Sequence, residues 1–305
     1  MNDILLHIGY HKTGTTFLQN EVFSNPELPF NLIDRSLTRK EIIRKNMFVF
    51  NPDQTRSLFN EKFKSDRINV VSNEAFIGNP HAGGYTSYDN FLKLKSLFPQ
   101  AKILICIREQ HDMILSSYKQ YIKTIGTLSL NKYLVPFKES SFLPEFNLLH
   151  FCYDKLIAAY INAFGKKNVL VLPYELIKAN PEEFLNRIFE FLELDTKDIS
   201  KVNVQKQFNA ANLNLTLKTK RLYNILFTKT RENPHGLLSL SRSINQPLFK
   251  SISFFEKKLG KGFQKRMNKK QMKIIQKVSN GFYAESNQKT SELIGINLSL
   301  YGYES

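Results

Sequence analysis

The sequence contains no tryptophan, only two cysteines and no long apolar run. The shortage of cysteines and of long apolar runs each argues against a class of protein. Cys106 and Cys152 cannot build a disulfide framework, which indicates a reducing compartment. The first residues lack the basic segment of a secretory signal, and no stretch of about 18 apolar residues could span a bilayer. We therefore expect a cytoplasmic protein, or one that lies peripherally on the inner membrane.

Acidic residues are scarce in one region of this basic chain, whose formal net charge is +16. Between Thr216 and Asn280 there are 16 Lys or Arg and two acids, or +14, whereas the remainder has 27 basic and 25 acidic residues, or +2. Helically spaced apolar residues between Glu256 and Lys277 predict an amphipathic helix. Its basic face is either simply solvated or contacts an acidic glycan or an anionic membrane surface through residues 216–280. No nucleic-acid motif accompanies it, so we expect no nucleic-acid partner.

The chain does contain buried strand patterns that alternate with helical ones, which is typical of a doubly wound α/β fold. The continuous apolar runs predict strands buried on both faces of a central parallel sheet within three layers. These runs are Asp3–Gly9, Ile68–Ser72, Lys102–Ile107 and Asn168–Leu172. The strand signal fades after residue 205, so we predict a core at residues 1–205. Residues 206–305 are predicted to form a basic, helical C-terminal extension packed on the same domain.

The segment from Gly9 to Thr16, here called the phosphate loop, connects the first predicted strand to a helix. Glycines in such a loop let backbone N–H groups converge on an anion, and the helix N-terminus adds partial positive charge. Thr13, Thr15 and Thr16 would add hydroxyl donors. In nucleotide kinases the lysine follows the second glycine and precedes the residue that serves Mg²⁺. Here the lysine comes two positions before that glycine, so the Mg²⁺-linked pair is missing.

Residues 6–16 resemble the 5′-phosphosulfate loop of the sulfotransferases that use 3′-phosphoadenosine 5′-phosphosulfate (PAPS). The family pattern is a lysine, a small hydroxyl residue, a glycine and two threonines, and all five positions match. The resemblance implies a P-loop-like fold and transfer of a sulfonate group from PAPS to a hydroxyl or amine. It implies that the 5′ end of the nucleotide is bound by His11, Lys12, Thr13, Gly14, Thr15 and Thr16.

A second element of the family is a strand ending in arginine, with a serine eight residues later, and both hold the 3′-phosphate. Arg108 and Ser116 have this spacing, although the turn after Arg108 lacks the usual proline. Independently of the family, an arginine at the carboxyl end of a parallel strand points into the ligand crevice and suits a phosphate. Tyr174 matches the family's tyrosine near the adenine, and a core tyrosine is the alternative.

The resemblance also implies the chemistry, an in-line displacement at sulfur in which Lys12 stabilises the leaving oxygen. Carbohydrate and protein sulfotransferases often place a glutamate at a strand end, which makes Glu74 the preferred general base. We expect its partial burial to raise its pKa. His81 is the rival base, because small-molecule members of the family use a histidine. The migrating group carries one negative charge, so no metal is expected.

The predicted acceptor is a glycan or glycolipid. Two other functions remain open at this point. The first is a Mg²⁺-dependent P-loop nucleotide kinase, and the second is a non-catalytic nucleotide- or polyanion-binding protein of the same fold. Binding of adenosine 3′,5′-bisphosphate without metal would separate the sulfotransferase from the kinase.

Overall fold

Five parallel strands form the central sheet of the computed structural model, which describes residues 3–135, 144–204, 217–227, 237 and 260–305. The strands are β1 Ile4–His7, β2 Phe30–Leu32, β3 Ile68–Ser72, β4 Lys102–Ile107 and β5 Val169–Pro173. Their order in the sheet is β2-β3-β1-β4-β5. The predicted central parallel sheet is therefore confirmed, and β2 is a strand that the sequence pattern did not reveal.

The sheet places its most apolar strands at the centre. Leu6 of β1 pairs with Val71 of β3 on one side and with Ile103 of β4 on the other, and all three are fully buried. This explains the continuous apolar runs, because a strand covered by helices on both faces has no solvent side for polar residues.

Helices and helical turns connect and cover the strands. In the first half of the chain they are α1 Thr15–Phe17, continued by a π-helical segment Leu18–Phe23, α2 Arg35–Thr38, α3 Pro52–Asn60, α4 Ser87–Leu97 and α5 Gln110–Thr124. They continue as α6 Leu130–Leu134, α7 Tyr153–Phe164, α8 Tyr174–Ala179, α9 Pro181–Phe191, α10 Leu217–Phe227, α11 Gly260–Ser279 and α12 Ala284–Ile294. None of the described helices combines the length and apolar character needed to cross a bilayer.

The start of α9 illustrates how local sequence sets a helix boundary. The Asn180 side chain accepts a hydrogen bond from the backbone N–H of Glu183, and Pro181 occupies the first helical position. Asparagine at the cap followed by proline is a strong helix-start signal, because the proline nitrogen needs no hydrogen-bond partner there. The predicted helix start is confirmed.

The chain divides into two compact units. The first comprises Met1–Gln110, Leu148–Asn209 and Gly281–Ser305, and it contains the sheet. The second comprises His111–Asn147 and Ala210–Asn280. The predicted boundary between residues 205 and 206 falls where the described residues end, and it stays a prediction.

Within the second unit, a buried asparagine connects helices. The Asn224 side-chain N–H groups of α10 donate to the carbonyls of Ile122 and Gly126, each at 2.8 Å. The predicted amphipathic helix corresponds to α11. Its first predicted residues, 256–259, lie outside the described residues.

Candidate active site

The strand order creates a crevice at the carboxyl end of the sheet. From β1 the chain continues to β2 and β3 on one side of β1, and it then crosses to β4 on the other side. The connections that follow β1 and β4 therefore run in opposite directions along the sheet. Ligands of open α/β sheets bind at such a switch point. Both segments with predicted phosphate ligands begin there: the phosphate loop follows β1 and Arg108 follows β4.

The phosphate loop has the backbone of an anion-binding turn. Lys12 and Gly14 adopt left-handed conformations, with φ of 65° and 84°. Alternation of left-handed with ordinary residues turns successive N–H groups toward one concave side. The loop stays joined to β4, because the Tyr10 N–H donates to the Cys106 carbonyl at 2.9 Å. The loop therefore offers backbone N–H groups where the resemblance implies the 5′ end of the nucleotide.

The three threonines of the loop differ in their surroundings. Thr13 is fully buried, and its hydroxyl donates to the Tyr10 carbonyl at 2.5 Å. This hydroxyl is used within the loop here, and its predicted role as a donor to the nucleotide stays a prediction. Thr15 is buried, and its hydroxyl has no hydrogen-bond partner among the described residues. Thr16 and the side chain of Lys12 are exposed.

Arg108 is directed toward the phosphate loop. Its Nη1 donates to the Lys12 carbonyl at 3.2 Å, and its guanidinium carbon lies 5.0 Å from the centroid of the Tyr174 ring. The Tyr174 ring also faces the loop, since a Cβ atom added to Gly14 would lie 3.4 Å from it. The structure thus brings together Lys12, Gly14, Arg108 and Tyr174, which come from three separate strand ends. Ser116 lies on α5 within the second unit, and its role in nucleotide binding stays a prediction.

Glu74 follows β3 directly, at the same edge of the sheet. The Asn73 side chain caps the turn by accepting from the Ala75 N–H and donates to the Thr38 hydroxyl. The Glu74 carboxylate accepts from Arg35 Nη2, with 2.6 Å between Nη2 and Oε1. Arg35 opens α2 just after β2, so the sequence analysis, which did not find β2, also missed this residue.

The ion pair corrects the expected titration of Glu74. Burial alone would raise the pKa of its carboxyl group, as we expected from the sequence. The hydrogen bond from its own backbone N–H and the charge and hydrogen bond of Arg35 outweigh burial, so the pKa of Glu74 is lowered. Glu74 is therefore an ionised carboxylate at neutral pH.

Three histidines, here called the histidine cluster, are His11, which interacts with Glu74 and Lys12, and His81 and His150, which interact with His11. Burial lowers the pKa of His11 and of His81 to about 4 and the pKa of His150 to about 3. A charge on His11 would lower the pKa of the other two, so the rings are close enough to interact. All three are therefore neutral at pH 7.

His150 was not found from the sequence, and its place depends on a glycine. A Cβ atom at Gly84, whose φ is 69°, would lie 2.1 Å from Nδ1 of His150. The imidazole therefore packs directly on the backbone of Gly84, which follows His81 by three residues. No local pattern around His150 signals this contact, because it joins segments 66 residues apart.

Glu175 stabilises the turn that follows Arg108. Its Oε1 accepts from the backbone N–H of Glu109 at 3.2 Å, and its Oε2 accepts from the hydroxyl of Tyr303 at 3.0 Å. Burial raises the pKa of Glu175. The tyrosine–acid pair after β5 was visible in the sequence, but not this role of the acid. Across the described part of the chain, no group of three His, Cys, Asp or Glu residues is arranged to hold a metal ion.

These features define an α/β protein with a phosphate loop. Arg108 and Tyr174 contact this loop, and Glu74 interacts with its His11. Comparison with known proteins gives the family. The model of the sulfotransferase domain matches residues 2–291. The chain belongs to the sulfotransferase family, and it is a sulfotransferase. No curated protein sequence matches it.

Three solved structures are similar to this chain, and the first of them bears on its fold. The sulfotransferase from Alicyclobacillus acidocaldarius matches with a TM-score of 0.59 and 13% identity over 99% of both chains, which establishes the fold. The sulfotransferase domain from the curacin biosynthetic pathway matches 72% of this chain and 83% of its own, with 10% identity and a TM-score of 0.41. Mouse sulfotransferase SULT7A1 complexed with PAP matches over 84% of both chains, with 16% identity and a TM-score of 0.39.

Proposed function

We propose that this sulfotransferase takes its sulfonate group from PAPS, bound by the phosphate loop at its 5′ end and by Arg108 at its 3′-phosphate. The observation that carries the proposal is the contact of Arg108 with the backbone of the phosphate loop. Arg108 Nη1 contacts the Lys12 carbonyl at 3.2 Å, so a guanidinium fork and a concave loop face one crevice. The sequence spacing adds Ser116 as a predicted further ligand of the 3′-phosphate.

The residues present suit a nucleotide with an anionic group at each end. The buried Thr15 hydroxyl lacks a partner among the described residues, as expected of a group that awaits a ligand. Tyr174 is proposed to lie near the adenine, and two cationic groups contact its ring, Arg108 at 5.0 Å and Lys178 Nζ at 4.8 Å from the centroid. His11 follows the start of the loop and is proposed to contact the phosphate or sulfonate.

The transfer step follows from these positions. The acceptor oxygen attacks the sulfur atom while the bond from sulfur to the 5′-phosphate oxygen breaks. The electron pair of that bond stays on the phosphate oxygen, where the exposed ammonium group of Lys12 stabilises the growing charge. The acceptor proton passes to Glu74, the ionised carboxylate of the site, with His81 as the rival base.

We further propose that the acceptor is a hydroxyl group of a glycan or glycolipid and that an anionic membrane surface binds α11. The described side chains of α11 expose a basic face, consisting of Arg266, Lys269, Lys270, Lys273 and Lys277. The opposite side buries Gln271, Ile275 and Ser279, and α11 contains no acidic residue. Because the apolar side is already packed, the helix would bind a membrane through charge alone, without insertion.

Nucleotide binding tests the donor assignment. Calorimetry with excess EDTA should show that adenosine 3′,5′-bisphosphate binds at least about tenfold more tightly than adenosine 5′-monophosphate, which lacks the 3′-phosphate. Arg108→Ala should abolish this preference, because the fork that reads the 3′-phosphate is gone. Arg187→Ala is the matched control, since Arg187 pairs only with Glu183 on the surface of α9 in the contacts described. Tight binding that requires ATP and Mg²⁺ would instead support a kinase, and an unchanged preference in Arg108→Ala would contradict the proposed site.

A further inference from the structure

The partner of Glu74 has no role in the function proposed above. Arg35 is fixed at the start of α2, where the Asp34 side chain caps the helix by accepting from the Ser36 N–H. From there its Nη2 reaches Glu74 Oε1 at 2.6 Å. The Arg35 side chain is 36% exposed and that of Glu74 is 23% exposed, so the pair lies at the border between protein and solvent.

The two oxygens of the Glu74 carboxylate differ. Oε1 accepts from Arg35, whereas Oε2 is buried and has no hydrogen-bond partner among the described residues. A buried carboxylate oxygen without a donor is unfavourable, and in native structures such a group requires an explanation. Of the two oxygens, Oε2 is the one without a donor, so it is the one left to accept a proton once an acceptor is bound beside it.

We infer that Arg35 is a positioning residue that holds Glu74 Oε1 and thereby directs Oε2 toward the proton of the acceptor. The inference rests on the proposed function of Glu74 as the base. During transfer the proton moves from the acceptor oxygen to Glu74 Oε2, and Arg35 keeps its charge throughout. A third group that orients the base is a recurring arrangement in enzymes that activate a hydroxyl.

The other groups around Glu74 leave Arg35 as its principal cationic partner. His11, in the phosphate loop, and His7, in β1, both interact electrostatically with Glu74, and burial lowers the pKa of each to about 4. Both are therefore neutral near pH 7. The charge of Lys12 acts on His11. Removal of the Arg35 charge should therefore raise the pKa of Glu74.

The test uses PAPS with water as the acceptor and measures the release of labelled sulfate from pH 4 to 9. In the wild-type protein the rate should stay constant down to a pH below the usual range of a glutamate, because Glu74 must be ionised to act. Arg35→Gln should raise the pH at which the rate falls by about one unit and lower kcat at pH 7 by about tenfold. The KM for PAPS should not change.

Three variants make the result specific. Arg35→Lys keeps the charge and should recover part of both the kcat and the acid limit. In Glu74→Gln the remaining rate should show no fall at low pH that depends on residue 74, because an amide does not titrate. Arg187→Gln is the matched control, because Arg187 forms a similar ion pair with Glu183, 2.7 Å long, on α9. It should leave the profile unchanged.

Two results would overturn the inference. One is an Arg35→Gln profile that matches the wild type, which would assign the ion pair a purely structural role. The other is a wild-type protein that binds adenosine 3′,5′-bisphosphate but releases no sulfate from PAPS, since an oriented base should activate water. Failure to bind the bisphosphate at all would contradict the proposed donor instead, so the two failures are distinguishable.

Discussion

At the scale of single residues, the account depends on which group takes the acceptor proton. Glu74 and His81 both interact with His11 of the phosphate loop, and they differ in charge at neutral pH. The pKa of Glu74 is lowered by its hydrogen bonds and by Arg35, and burial lowers the pKa of His81 to about 4, so both are unprotonated at neutral pH. Glu74 stays the proposed base because its Oε2 has no hydrogen-bond partner among the described residues.

Substitution of the two candidates separates them. Glu74→Gln should reduce sulfonate transfer by about a hundredfold, because an amide cannot accept the proton, and should leave nucleotide affinity nearly intact. His81→Asn should reduce transfer much less. Steady-state kinetics and calorimetry of the same preparations provide the measurement. Normal turnover in Glu74→Gln together with loss of turnover in His81→Asn would assign the base to His81.

At the scale of elements, the sequence predicted those parts of the fold whose signal is local. Four of the five strands lie in short segments rich in apolar residues, and α9 begins at an Asn-Pro cap, so both were predictable. β2 was missed because it spans only Phe30–Leu32, too short for a pattern to stand out. Its place at the edge of the sheet comes from pairing with β3.

The candidate site shows the same division between local and distant signals. The phosphate loop and the strand-end arginine were visible because each is a short motif beside a strand. Arg35 and His150 were not, because tertiary contacts bring them to Glu74 and Gly84. The pKa of Glu74 was expected in the wrong direction for the same reason, since its cause lies 39 residues away in the chain.

At the scale of the whole molecule, the uneven charge is the main feature. The basic face of α11 carries five exposed cations, and none of them forms an ion pair with another residue in the part of the chain that the structure describes. Each lysine or arginine near an anionic membrane contributes about 1 kcal/mol to binding, so five produce a substantial attraction. The attraction should weaken as salt increases.

Vesicle binding tests this proposal. The protein should sediment with vesicles rich in phosphatidylglycerol and not with phosphatidylcholine vesicles. The triple variant Lys269→Glu, Lys273→Glu and Lys277→Glu should lose binding by at least about a hundredfold. The control Lys166→Glu, Lys167→Glu and Lys197→Glu makes the same charge change at exposed positions of the first unit and should bind more tightly than the α11 variant.

Two outcomes would contradict a membrane partner for the basic face. Equal losses in both triple variants would mean that net charge alone governs binding. Binding of the wild-type protein to heparin but not to anionic vesicles would favour an acidic glycan.

The central claim is that the phosphate loop delivers a sulfonate group from PAPS, and transfer of radiolabel tests it most directly. The purified protein is incubated in EDTA with sulfur-labelled PAPS and a panel of neutral and acidic glycans and glycolipids, beside the Lys12→Ala variant. The account predicts a labelled acceptor with the wild-type protein. Lys12→Ala should produce at least about a hundredfold less labelled acceptor, because no cation then stabilises the leaving oxygen of the 5′-phosphate. Equal labelling by both proteins, or labelling only from γ-labelled ATP with Mg²⁺, would contradict it.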